Sequence, residues 1–96
     1  MKSKKREKMD VEDVFSSRLR MKILKLLDKM HELNASEIAH RLNVNYVVTA
    51  KHLNVLEKEG IINHKMFGRI RLYWLNENSP KTKAVQHLIK TWEQAN

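Results

Sequence analysis

Ninety-six residues make one small domain, and a core of that size leaves oligomerisation as a natural source of added stability. Nineteen Lys and Arg against eleven Asp and Glu give a formal charge of +8 and a pI near 9.9, a balance that suits an anionic partner, either nucleic acid or an acidic membrane face. The lack of cysteine excludes a disulfide framework, thiolate metal ligation and a cysteine nucleophile; without an apolar run near the roughly 18 residues of a membrane span, or the apolar core of a signal peptide, a soluble cytoplasmic protein is expected.

Residues 1–10 read M-K-S-K-K-R-E-K-M-D. Five bases and one acid fall in the first eight positions with no periodicity, as in a basic flexible tail that either solvates the chain or lies on phosphates. Residues 11–96 form the folded domain. From Val11, apolar residues recur at helical steps: Val11, Val14 and Phe15, then Leu19, Ile23, Leu26, Leu27 and Met30. Asp10 can cap this segment, and Ser16-Ser17 splits it into a short helix and a longer one. The bases of the second piece (Arg18, Arg20, Lys22, Lys25, Lys29) read mostly as a solvated face. Residues 31–33 are a connection or a single-bridge strand. Asn34-Ala35-Ser36-Glu37 then fits a capping box, in which Asn34 accepts from first-turn amides and Glu37 reaches back. Ile38, Ala39 and Leu42 are the buried side of the helix it opens, and Asn43 can take the left-handed conformation that ends it.

Asn45 can cap again, and residues 46–59 run as one helix that stops at Gly60. A short helix, a tight turn and a longer helix make a helix-turn-helix. The period then changes from helical to alternating. I-I-N-H-K-M and R-I-R-L-Y-W-L flank Phe67-Gly68, as in a β-hairpin with glycine at its turn. Ile70, Leu72 and Trp74 fall on one face of it, and Arg69, Arg71 and Tyr73 on the other. Ser79-Pro80 caps a last helix with Ala84, Val85, Leu88, Ile89 and Trp92 in one stripe. The fold expected is mainly α with a small β-hairpin, a winged helix-turn-helix.

At 100° per residue the helix 46–59 separates into two sides. Thr49, Leu53 and Leu56 share a narrow arc that packs on the core, with His52 at its margin. Val47, Ala50, Lys51, Asn54 and Lys58 lie opposite, with Tyr46 at the leading edge. That second set suits DNA. Lysine and asparagine donate to base edges or phosphates, Val47 and Ala50 suit a thymine methyl, and Asn45 and Tyr46 stand where helix amides meet a phosphate. Taken alone, the helix would still read as an ordinary amphipathic one. The hairpin shifts the balance, because Lys65, Arg69 and Arg71 gather around its turn, where the core needs no cation and a groove or phosphate does. Edge-strand cations that prevent aggregation are the competing use.

S-S-R-L-R-M-K-I-L-K-L-L, S-E-I-A-H-R-L-N-V, K-H-L-N-V-L-E-K-E-G-I-I and G-R-I-R-L-Y-W-L together resemble the winged-helix regulators of the arsenic-repressor (ArsR) class, over about residues 14–92. The resemblance implies a homodimer built largely from the first and last helices, a recognition helix (45–59) in the major groove and a wing (61–75) along the backbone or minor groove. It places Asn45, Tyr46, Val47, Ala50, Lys51, Asn54 and Lys58 toward the groove, Lys65, Arg69 and Arg71 on the wing, and Val14, Phe15, Val85, Leu88, Ile89 and Trp92 at the dimer seam. Relatives usually carry small hydroxyls or glutamine where this chain has Tyr46-Val47-Val48, so its target should differ from theirs. Many relatives sense metal. Here cysteine is absent, His87 has Lys83 and Lys90 one turn away, and no histidines pair at i, i+4, so no metal and no cofactor are expected.

Nothing supports catalysis: there is no glycine-rich phosphate loop and no nucleophile beside a base. The expectation is a homodimeric regulator, a repressor, that binds specific double-stranded DNA and no membrane. The competing readings are an architectural, chromatin-type binder of low sequence specificity and a winged-helix protein–protein adaptor.

Overall fold

A computed structural model describes residues 9–96, so the expected tail lies outside the described residues apart from Met9 and Asp10. Met9 is already anchored: its side chain packs on the core and its amide donates to Glu59 Oε2 at 2.7 Å. Asp10 stands at the N-cap position of α1 (Val11–Val14), but its side chain makes no capping hydrogen bond. Ser16 and Ser17 do break the segment. Ser16 donates back to the Asp13 carbonyl, and Ser17 accepts from the Arg20 amide to cap α2 (Arg18–Met30).

The chain then forms β1 (Glu32–Asn34), and both reciprocal bonds of the expected capping box open α3 (Ala35–Leu42): Glu37 N to Asn34 Oδ1 at 2.8 Å, and Asn34 N to Glu37 Oε1 at 2.9 Å. Asn43 ends that helix at φ 55°, ψ 48°, the left-handed cap expected of it. Asn45 caps α4 (Tyr46–Lys58), accepting from the amides of Val47 and Val48 at 2.7 and 3.3 Å.

At the other end of α4, Gly60 has φ +78°. Its amide donates to Glu57 O and the next one, of Ile61, to Leu56 O, so the helix's last carbonyls are satisfied as the chain turns into β2 (Ile62–Phe67). β2 and β3 (Ile70–Leu75) are antiparallel, with Phe67 opposite Ile70. The two residues between them have positive φ only at Gly68, the pattern of a type II′ turn. The expected hairpin gains a third strand, because β1 pairs with β3 and the sheet order is β1-β3-β2. Finally α5 (Pro80–Ala95) starts with Ser79 accepting from the Lys81 and Thr82 amides.

Ile23, Leu24, Leu27, Ile38, Leu53, Leu56, Ile61 and Ile62 fill the centre of the core, joined by Leu33, Tyr73 and Leu75 from the sheet and Val85 and Ile89 from α5. One expectation is corrected here. The buried stripe of α2 is Arg20, Ile23, Leu24 and Leu27, one position round from the expected one, so Leu19, Leu26 and Met30 only flank it. β3 alternates as expected: Tyr73 and Leu75 meet the core, and Ile70, Leu72 and Trp74 lie on the outer face beside Lys65 and Phe67.

An added Cβ at Gly60 would meet no heavy atom within 4 Å, so only the backbone conformation opposes a side chain there. Gly60→Ala is therefore expected to cost roughly 1–2 kcal/mol, the penalty of a left-handed L-residue. Urea denaturation at unchanged m-value checks this.

Candidate nucleic-acid interface

The interface is built on α4. Thr49, Leu53 and Leu56 are sunk in the core, and the Thr49 hydroxyl donates to the Asn45 carbonyl. Burial along α4 begins only at Thr49, so the first turn presents its side chains at the surface. Tyr46, Val47 and Val48 are all exposed there, followed outward along the helix by Lys51, Asn54 and Lys58. Ala50 is half-buried. The helix wheel had left Val48 off the outer face. It belongs among the exposed residues because the wheel describes a helix packed along its whole length, and this one is not.

The wing approaches the same end of α4. A cleft of about 490 Å³ is lined by Asn34, Ala35 and Ser36 of the α3 start, Tyr46 of α4, and Met66, Arg69, Ile70 and Arg71 of the wing. Arg71 lies near enough to Tyr46 and Glu57 for both to act on its charge. A hydrogen bond to the Tyr73 hydroxyl, at 3.5 Å, is the chief reason its pKa rises above the ordinary guanidinium value. Arg69 sits in the turn itself. Lys65 falls on the opposite face of the hairpin, where its ammonium lies 5.8 Å from the Phe67 ring centre. The wing cations therefore divide: Arg69 and Arg71 border the cleft with Tyr46, and Lys65 faces away from it.

Two side-chain links fix these parts, and the sequence reading contains neither. His64 Nδ1 of β2 meets Glu57 Oε2 of α4 at 2.6 Å while its ring packs on Tyr73, which ties the root of the wing to the helix. Arg20 is buried. Its guanidinium donates to the carbonyls of Val14 and Asp13 at the end of α1 and to His52 Nδ1 of α4, each at 2.9 Å. Arg20 was expected on the solvated face of α2. Its spacing, three, four and seven residues before Ile23, Leu24 and Leu27, places it on the buried stripe, and only its residue type concealed this. Glu59 is also buried, accepting from Met9 N and paired with Lys81 Nζ of α5 at 3.1 Å.

The residues expected at a dimer seam also divide. Val14, Val85 and Ile89 are buried in the protomer's own core and leave little surface for a second copy, and Phe15 is partly buried against that core. Leu88 and Trp92 are 49% and 67% exposed, and Val11 of α1 is exposed too. Among the described residues no three His, Asp or Glu side chains come together to hold a metal ion, and no helix is long and apolar enough to cross a membrane.

Since an arginine can only donate, His52 Nδ1 must accept from Arg20 with its lone pair, which requires a neutral ring. Burial first, and the Arg20 charge second, lower the His52 pKa below its usual 6.5. The unfolded chain then binds the proton more readily, and stability from this group, present above pH 6.5, is lost as pH falls toward the lowered value. Asparagine at position 52 keeps an acceptor near Nδ1 but does not titrate. Wild type is expected to lose stability relative to His52→Asn between pH 7.5 and 5.5, roughly across the histidine range; parallel stability curves in denaturant would contradict it.

Comparison with known proteins agrees with this architecture. Residues 17–64 match the family model described as bacterial regulatory protein, arsR family. The uncharacterized HTH-type transcriptional regulator B-115 of Sulfolobus spindle-shape virus 1 is 36% identical over 61 residues, which cover 64% of this chain and 53%, about half, of that relative. Reduced HlyU from Vibrio cholerae superposes with a TM-score of 0.72 at 25% identity, over 83% of this chain and 81% of its own. The homodimeric winged helix-turn-helix DNA-binding domain of Mb0332 from Mycobacterium bovis has the same fold, with a TM-score of 0.72 at 19% identity over 88% of this chain and 75% of that one.

Proposed function

The chain belongs to the arsR family of bacterial regulatory proteins, winged-helix DNA-binding transcription regulators rather than enzymes, and we propose that it acts as a homodimer, with the first two turns of α4 in the major groove and the wing on the adjacent backbone or minor groove. The observation that carries this reading is the cleft shared by the α4 start and the wing. It brings Tyr46, Arg69 and Arg71 together with Asn34, Ala35 and Ser36 at the start of α3, and two arginines beside these polar groups suit a phosphate. Asn45, Tyr46, Val47, Lys51 and Asn54 are the groove contacts. Ala50 lets the helix approach closely, and Lys58, three turns along, reaches only flanking phosphates. Arg69 and Arg71 are the principal wing contacts, with Lys65 adding charge from the far face.

Dimerisation is proposed through the exposed apolar surface of Val11, Leu88 and Trp92, with Phe15 at its edge. The Mycobacterium bovis domain that shares the fold is homodimeric. A two-fold pair would read half-sites about one helical turn, roughly 34–36 Å, apart on an inverted repeat. Repression, by occupying promoter DNA, is the proposed outcome, and in vitro transcription from a bound promoter tests its direction.

Binding to duplex fragments across a salt series tests the function. Preference for one inverted repeat is expected. Uniform affinity with a steep salt slope would point to an architectural protein, and no binding at moderate salt to an adaptor. Arg71→Ala is expected to weaken binding to every duplex and to reduce the slope of log K against log salt by about 1. Lys51→Ala with Asn54→Ala is expected to lose about 1–3 kcal/mol of discrimination per base pair read. For the dimer, Leu88→Ser with Trp92→Ser should give a monomer by light scattering, and a persisting dimer would place the seam elsewhere.

A further inference from the structure

The first turn of α4 carries more apolar surface than either the fold or a phosphate contact explains. Tyr46, Val47 and Val48 are 54%, 59% and 41% exposed. Successive helical residues lie 100° apart, so these three ring the end of the helix instead of lining one side of it. The fold gains nothing from them: they lie outside the buried core, and β-branched residues lower helix propensity. The Asn45 side-chain oxygen beside them is already committed, accepting from the Val47 and Val48 amides.

The surroundings of this apolar end decide what it meets. Lys51 is exposed on the next turn, and Arg69 and Arg71 border the cleft that Tyr46 lines. A second copy of a +8 chain, or an apolar peptide, would leave those cations facing like charge or nothing. The fitting occupant is anionic yet offers isolated apolar points. Among the base edges of the DNA major groove, thymine alone carries a methyl group, at C5. Guanine is read chiefly by Arg or Lys and adenine by Asn or Gln, and residues 46–48 contain none of these.

We propose, resting on the DNA-binding reading above, that Tyr46, Val47 and Val48 form a thymine-methyl contact surface. Each half-site then carries clustered thymines beneath the end of α4, and Lys51 and Asn54 read the neighbouring pairs. Val48 becomes a specificity-determining residue. The helix end selects its target by shape and methyl contact, with hydrogen bonding to base edges starting one turn later.

The test begins with duplexes selected from a random library by the full chain. Each thymine of a selected half-site is replaced in turn by deoxyuridine, which pairs identically but lacks the methyl. Affinity is expected to fall about fourfold per contacted thymine, the equivalent of about 0.8 kcal/mol for a buried methyl-sized group. Val47→Ala with Val48→Ala is expected to shrink that difference at the thymines these two side chains meet and to leave it unchanged at one met by Tyr46. Alanine is the better helix former, so the variant keeps its fold, which circular dichroism checks. Tight binding of a selected duplex with no response to deoxyuridine at any position overturns the thymine contact and leaves the DNA-binding reading standing. Binding without enrichment of any sequence also overturns it. Failure to bind any duplex at moderate salt overturns both, and assigns the apolar end of α4 to a protein partner.

Discussion

Leu53 and Leu56 are fully buried, and with Thr49 they are the only points at which α4 is sunk into the core. The rest of the arrangement depends on that constraint. A helix buried only from its fourth residue onward leaves the side chains of its first turn at the surface, where a groove can meet them. The fastening at the other end is correspondingly firm. Glu57 is tied to the wing through His64, Glu59 to α5 and to the Met9 amide, and His52 to α1 and α2 through Arg20. Fixing one end from several sides sets the direction in which the free end points.

The wing follows from the same geometry. Gly60 turns the chain out of α4 directly into β2, and the His64–Glu57 contact holds the root of the hairpin against the helix. The alternation of β3 then puts Arg71 on the same side as Tyr73, and it continues past the core to border the cleft. β1, from the stretch between α2 and α3, closes the far edge of the sheet and brings the start of α3 toward that cleft. Helix start, recognition helix and wing thus form one surface because a single small sheet joins them. Arg20 adds a link of a different kind. It connects α1, beside the exposed apolar surface proposed for dimerisation, to the helix proposed to read DNA.

Most of the fold was legible in the sequence because its punctuation is local. The Asn34–Glu37 box, the Asn43 and Gly60 stops, the Asn45 cap and Ser79-Pro80 each act within a few residues, and the structure contains each as read. What depends on distant partners was not. Arg20, Glu57 and Glu59 look like solvated charges until the groups they meet, His52, His64, Lys81 and the Met9 amide, are brought in from other elements. Val14, Val85 and Ile89 are expected at the dimer seam, since an apolar stripe does not say which side its partner comes from, and the structure buries them in the protomer's core. The exposure of the whole first turn of α4 is likewise a fact of packing, and it is what brings Val48 into the candidate interface.

The first turn of α4 and the wing tip together are the proposed DNA-contacting surface. Amide chemical-shift mapping of the full chain with a selected duplex tests it directly. The largest perturbations should fall on residues 45–51 and 66–71, with the start of α3 next and the Leu88–Trp92 side of α5 unaffected. Perturbations centred on α5 and α1, with the first turn of α4 silent, would contradict the account.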